Sequence, residues 1–371
     1  MKVPFQNLLA PYTELKDELD EAYHRFMESG WYVLGKEVSA FEEEYAAFCE
    51  AKYCVGVGHG LDALHLALRA LDVGVGDEVI VPSNTYIATW LAVTQVGATI
   101  VPVEPDIATY NLDPERLAEA ITNKTKVILP VNLYGQPCDY DRILSVARER
   151  GIRVVIDNAQ AQGARYKGRR VGGIADIECH SFYPTKNLGA FGEAGAITTN
   201  DLTLAEKVKV LRNYGSRIRY YNEVQGYNSR LDELQAAFLR VKLRHLDQWN
   251  VRRSTLAAAY QAQISIVGTP LILPQAPLWA NSAWHLFVVR CSMRDSLQAW
   301  LAEAGIQTLI HYPVPPHLSE AYTSMRGLTP DLPICTQLAQ EVLSLPIGPH
   351  MDVKEVNSVS NSIAAFCRKC A

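Results

Sequence analysis

The sequence predicts an α/β fold: a large domain on a mostly parallel seven-stranded sheet, followed by a smaller C-terminal α+β domain. Three observations predict it. Between residues 50 and 200 short β-branched runs alternate with stretches whose apolar residues recur every three or four positions. After Asn200 that alternation stops and long helical patterns take over. At 371 residues the chain is also too long for one small core and suits two unequal domains.

The strand candidates are Cys54–Gly58, Glu78–Pro82, Thr99–Val103, Lys126–Val131, Arg153–Asp157, Ile177–Phe182 and Gly195–Thr199. Helical spacing fills the gaps at Leu61–Leu71, Thr85–Val96, Pro114–Ile121 and Tyr140–Glu149. Strand–helix–strand units of this kind join parallel strands by right-handed crossovers, with helices on both faces. Asp201 is placed to cap a helix over Leu202–Tyr214. A loop rich in Tyr, Arg and Asn runs from Gly215 to Ser229, and a long amphipathic helix spans Leu231–Gln263. Trp284–Cys291 reads as a strand, Asp295–Ala304 as a helix and IHYPVPPH (Ile310–His317) as a rigid loop, before two closing helices. The expected domains are 1–245 and 246–371, with the first stretch of chain packing on the smaller one.

Composition narrows the function classes. Hydrophobic residues make 48% of the chain and charged residues 20%, as in ordinary globular proteins. No apolar run approaches the roughly 20 residues of a membrane helix, and the N-terminus turns acidic too early for a secretory signal. Net charge is −5 with Lys and Arg scattered, which argues against a nucleic-acid surface. Eight dispersed cysteines read as reduced thiols of a cytoplasmic protein. The single C-x-x-C, Cys367 with Cys370, lacks the second ligand pair of a structural zinc site.

Three motifs carry chemistry. GVGHG (Gly56–Gly60) follows a strand and opens a helix, where amide N–H groups and the helix dipole favour one phosphate. It lacks the third glycine of the dinucleotide fingerprint, which disfavours a nicotinamide-dependent oxidoreductase. In RVVIDNAQAQGA (Arg153–Ala164) a buried strand ends in Asp157, with Gln160 three residues on. Asp157 there is either a helix cap or the carboxylate partner of a protonated ring nitrogen. In HSFYPTKNLGAFGEAGAITTN (His180–Asn200), Lys186 sits in a tight loop among apolar and small residues. Desolvation there would lower its pKa and free the amine for a Schiff base. Ser181 leaves a hydroxyl for phosphate. A phosphate cradle, an acid for a ring nitrogen and a Schiff-base lysine are together what a pyridoxal-phosphate enzyme requires.

The sequence resembles the sugar aminotransferases called the DegT/DnrJ/EryC1/StrS group, of the fold-type I class, nearly end to end. The resemblance runs through VPFQNL, SGWYVLGKEVSAFEEEYA, DEVIVPSNTYIATWLAV, GYNSRLDELQAA, WHLFVVR and IHYPVPPH. It implies pyridoxal 5'-phosphate held at Lys186, Asp157 on the pyridine nitrogen, Gln160 at the ring hydroxyl and Tyr86 stacked on the ring. It also implies phosphate contacts from the backbone amides of Leu61 and Asp62 and from Ser181. Asn228 would reach the phosphate of a neighbouring subunit in a homodimer with shared sites. Within the group, SNTYIATWLAV, LYGQP and RNYGSR resemble enzymes that aminate C-3 of dTDP-3-keto-6-deoxyhexoses with L-glutamate as donor. Amination at C-4 and a keto-sugar dehydratase are the alternatives, and such dehydratases carry His where this chain has Lys186. A non-catalytic regulator on the same fold would bind the cofactor without transamination. HGLDAL, Gln162 and Glu193–Ala194 depart from the common pattern. Tyr183 and His311 are the candidate substrate contacts, with packing in the domain cleft as the other reading of each.

Overall fold

The computed structural model describes residues 2–266, 271–325, 327 and 330–370. Seven strands form one sheet: β1 (Tyr53–Val57), β2 (Glu78–Pro82), β3 (Thr99–Val103), β4 (Thr125–Ile128), β5 (Arg153–Asp157), β6 (Ile177–Ser181) and β7 (Gly195–Thr199). Their order across the sheet is β1-β7-β6-β5-β4-β2-β3. The β2–β3, β2–β4, β4–β5 and β5–β6 pairs are parallel. β7 runs antiparallel between β1 and β6.

Alternation within these strands builds two cores, because successive side chains point to opposite faces. Val79 and Val81 join Val127, Val155, Ile177 and Trp90 on one face. Ile80, between them, joins Ile128, Val154, Ile156 and Tyr140 on the other. Both faces are therefore covered, as a parallel sheet requires. A third core gathers Tyr260 and Ile264 of the Glu233–Ile266 helix, the antiparallel pair Phe287–Arg290 and Val342–Leu345, and the Val353–Cys370 helix. Val3 belongs to it too, exchanging backbone hydrogen bonds with Gly305 and Gln307 at 3.0 and 2.9 Å. Glu233 ties the long helix to the N-terminal region by accepting the N–H groups of Gly35, Glu37 and Val38 at 2.6, 2.9 and 3.1 Å.

Several expected elements are shorter. The strand expected over Trp284–Cys291 begins only at Phe287, since Trp284 takes a left-handed φ of 47°. The Pro114–Ile121 helix divides into a 3₁₀ turn at Pro114–Arg116 and one α turn at Leu117–Ala120. The helix that Asp201 caps, through Thr203 and Leu204 N–H groups, ends at Leu211. Tyr214 then turns with a φ of 56° into a two-stranded hairpin, Ser216–Ile218 with Tyr221–Asn222. No helix among the described residues is long and apolar enough to cross a membrane. No cluster of three or more His, Cys, Asp or Glu able to hold a metal occurs among them.

Glu178 on β6 is fully buried and holds the connection below the site. It accepts the N–H groups of Gly172, Ile174 and Ala175 at 2.6, 2.7 and 3.0 Å, the Tyr140 hydroxyl at 3.1 Å and the Asn158 amide. Glu178→Ala strands those donors without water. The expected loss is about 3 kcal/mol, a fall in thermal unfolding midpoint on the order of 5 °C by calorimetry. An unchanged midpoint would mean that water replaces the carboxylate freely.

Candidate active site

The carboxyl ends of the parallel strands open on one cavity of about 510 Å³, where ligands gather in open α/β sheets. Asp157 closes β5 and faces it. Its backbone is pinned on both sides, with its N–H donating to Pro130 O at 2.9 Å and its C=O accepting Asn132 N–H at 3.0 Å. No helix follows, so Asp157 is not a helix cap. The Ala159 N–H donates to Oδ1 and the Thr89 hydroxyl to Oδ2, each at 3.0 Å. Burial pushes the Asp157 carboxyl up, opposed by those two donors and the Lys186 charge.

Lys186 reaches the same cavity from the loop after β6. Its N–H closes a turn on Tyr183 O at 2.8 Å, and Ala190 N–H returns to Phe182 O at 2.7 Å. The loop is so tight that a Cβ on Gly189 would collide with the Pro184 carbonyl. Burial lowers the Lys186 amine to about 8, with the Asp157 carboxylate pulling the other way.

At the far end, the Gly60–Ala70 helix starts beside Ser181. A Cβ on Gly60 would lie 2.6 Å from Ser181 Cβ, so the missing side chain leaves a cradle between helix start and hydroxyl. Leu61 lines the cavity in the helix's first turn, where N–H groups have no intrahelical partner. Asp62 differs from expectation. Its N–H donates to His59 Nδ1 at 3.1 Å, and its carboxylate accepts the Ser229 hydroxyl at 2.6 Å, so the His59 cap competes for that amide.

Residues 13–364 match the DegT/DnrJ/EryC1/StrS aminotransferase family. The chain belongs to that family. It is 55% identical over 366 residues to the erythromycin biosynthesis sensory transduction protein EryC1 of Saccharopolyspora erythraea, covering 98% of this chain and all of that one (100%). It is 50% identical to a dTDP-3-amino-3,4,6-trideoxy-alpha-D-glucose transaminase of Streptomyces venezuelae, covering 99% of this chain and 97% of that one. Identity is 52% to a dTDP-3-amino-3,6-dideoxy-alpha-D-galactopyranose transaminase of Aneurinibacillus thermoaerophilus, over 98% and 99% of the two chains. Among solved structures, S. venezuelae DesV in complex with a ketimine intermediate superposes with a TM-score of 0.96 at 50% identity, over 99% and 98% of the chains. A Bacillus subtilis structure with bound cofactor PMP gives 0.93 at 28% identity, over 99% and 85%.

This aminotransferase therefore uses pyridoxal phosphate, and its residues fit that group. The Gly60 cradle with Ser181 suits the phosphate, Asp157 suits a protonated ring nitrogen, and Lys186 has an amine freed by burial. Tyr86 and Tyr183 stand at the mouth, 54% and 48% exposed, which leaves their rings open to a ligand. Gln160 is held at both ends: Tyr134 N–H donates to Oε1 at 2.7 Å, and Nε2 donates to the Tyr312 hydroxyl at 2.9 Å. His311 lines the cavity with Nδ1 2.8 Å from Ser344 Oγ. Burial and the Lys186 charge lower it to about 4, so it is neutral near pH 7. Asn228 is exposed and is not brought to this cavity.

Sequence reasoning missed Thr85, Thr89, His285 and Tyr312. Thr85, His285 and Tyr312 line the cavity, and Thr89 holds its carboxylate. The only signal for Tyr312 was its place beside His311 in the proline-rich loop. Its ring centroid lies 5.3 Å from that of Tyr86, so the proline-rich loop borders the cavity beside Tyr86. Gln162, singled out for its departure, points away from the cavity. Its Nε2 bonds Ser181 O at 2.7 Å and Ala159 O at 3.2 Å, stapling the two site loops together.

Proposed function

We propose that this aminotransferase moves the amino group of L-glutamate to C-3 of a dTDP-linked 3-keto-6-deoxyhexose, releasing 2-oxoglutarate and the 3-amino sugar. The observation that carries the substrate is the 50–52% identity, over nearly full lengths, to two transaminases whose names specify dTDP-3-amino sugars. Residues 1–245 are read as the cofactor-binding unit and 246–371 as the smaller unit, in a cytoplasmic homodimer. The exposed position of Asn228 supports a role in the neighbouring subunit's site, as do the exposed Ile218, Tyr220 and Tyr221 of the adjoining hairpin.

When bound, pyridoxal phosphate supplies a carbon that carries the amino group between substrates and a ring that takes up an electron pair. Lys186 would hold the cofactor, and its amine is placed to take the α-proton of glutamate. In the second half-reaction the same amine returns a proton to the sugar carbon. The Asp157 carboxylate would pair with the ring nitrogen and keep a proton on it. Ser181, Leu61 and the helix start would hold the phosphate, while Gln160, braced by Tyr134 and Tyr312, would hold the ring hydroxyl. Tyr183 and the neutral His311 face the sugar.

The test uses the pyridoxal-phosphate-loaded protein. L-Glutamate alone should shift its visible absorption into the near ultraviolet, and a dTDP-3-keto-6-deoxyhexose should restore it with a 3-amino product identified by NMR. A visible band unmoved by glutamate would overturn the donor. Restoration by a 4-keto sugar only would overturn the C-3 assignment.

A further inference from the structure

We propose that the hydroxyls of Thr85 and Thr89 form a directed hydrogen-bond relay that fixes the Asp157 carboxylate, making Thr89 a positioning residue for the reaction. Thr89 Oγ1 lies 3.0 Å from Asp157 Oδ2 and 2.8 Å from Thr85 Oγ1. A threonine hydroxyl has one proton and an ionised carboxylate none. Thr89 therefore spends its proton on Asp157, and Thr85 must be the donor to Thr89. The direction of the whole relay follows from that count. All three side chains are buried, at 2%, 0% and 5% exposure for Thr85, Thr89 and Asp157, and Thr89, the middle member, does not line the cavity, so water is not an easy substitute for its hydroxyl.

The placement is specific. Threonines inside helices commonly return their hydroxyl to the carbonyl four residues back, as Thr94 does to Trp90 O at 3.2 Å. Thr89, in the same helix, instead reaches across to β5. The two carboxylate oxygens are thus held from different elements, Oδ1 by its own loop and Oδ2 by the Ile87–Gln95 helix. Thr85 and Thr89 flank Tyr86, so the turn that sets Tyr86 at the cavity mouth also aims the carboxylate. Burial favours the neutral acid at Asp157, and Thr89 is the side-chain donor opposing it.

This inference rests on the proposed function for its kinetic readouts only. Thr89→Val keeps the shape and removes both bonds. Its kcat for glutamate should fall roughly tenfold to a hundredfold, the span of one hydrogen bond to a charged group, with KM nearly unchanged. The acid limb of its rate–pH profile should move upward, because an unsupported carboxylate takes up its proton at higher pH. Independently of turnover, apoprotein affinity for pyridoxal phosphate, by equilibrium dialysis, should weaken several-fold. Thr89→Ser should restore all three. Thr85→Val should cost less, and the double valine variant should match Thr89→Val alone, since Thr85 then has no acceptor. Additive losses, or a Thr89→Ser variant as impaired as Thr89→Val, would show packing rather than a relay. Unaltered affinity, kcat and pH profile in Thr89→Val would overturn the inference. Failure of the parent protein to transaminate would strike the proposed function and leave the affinity comparison standing.

Discussion

Lys186→Ala is expected to remove transamination, by about 10⁴-fold or more, because in the proposed mechanism one amine both anchors the cofactor and moves the proton. Burial has brought that amine down to about 8, and the nearby Asp157 carboxylate does not fully offset it. Lys186→Arg separates charge from reactivity. Guanidinium keeps the positive charge but stays protonated at any working pH, so it should be as inactive as alanine. The fold should survive both changes, with far-ultraviolet circular dichroism unaltered, since the side chain faces a cavity. Appreciable glutamate-dependent turnover in either variant would remove Lys186 from the centre of the mechanism. The lowered value also gives a pH prediction. Below about 8 the amine is mostly ammonium and cannot attack an aldehyde, so capture of pyridoxal phosphate by the apoprotein should accelerate about tenfold per pH unit and then level off near 8. A solvated lysine would keep accelerating to about 10.4. Stopped-flow absorbance across this range distinguishes the two.

Much of this site could be read before any coordinates, because its motifs sit where buried strands end. β2, β3, β5 and β7 run over the residues expected from their β-branched content and their bounding Gly, Pro and Asp. Lys186, Asp157, Gln160, Ser181, Tyr86 and Leu61 then share one cavity, since β5 and β6 are neighbours in the sheet and β1 and β2 each lie one strand further out on either side. What stayed hidden depends on pairing across long separations. Thr89 meets Asp157 over 68 residues and Gln160 meets Tyr312 over 152. No local periodicity encodes either meeting. Trp284 was illegible for another reason: an apolar run reads as a strand, and nothing in it announces a left-handed residue. The family resemblance implies a phosphate contact from the Asp62 amide, but the His59 ring at the helix start accepts that N–H here, a competition that only side-chain geometry reveals.

Asp157→Asn tests the other half of the chemistry, and the expected result is a protein that still takes up pyridoxal phosphate but scarcely exchanges the glutamate α-proton. An amide can accept the hydrogen bonds from Ala159 N–H and Thr89 through one oxygen only, and it carries no charge. The backbone cannot shift to compensate, because Asp157 is locked to Pro130 and Asn132 on both sides of its peptide unit. The loss therefore falls on electrostatics. Without the buried carboxylate nothing in the cavity floor would favour a protonated ring nitrogen, the state that lets the ring accept an electron pair. Removal of one preorganised electrostatic partner costs roughly a hundredfold to a thousandfold in rate. Asp157→Glu should not rescue it, since an added methylene in a position 5% exposed displaces the carboxylate from the donors that aim it. Deuterium wash-in at the glutamate α-carbon, followed by NMR without any sugar present, reads this step alone. Exchange at the parental rate in Asp157→Asn would mean that the carboxylate organises the loop and nothing more. Slow exchange with retained cofactor binding assigns it to the chemistry, and places the Thr89 hydroxyl behind it as its support.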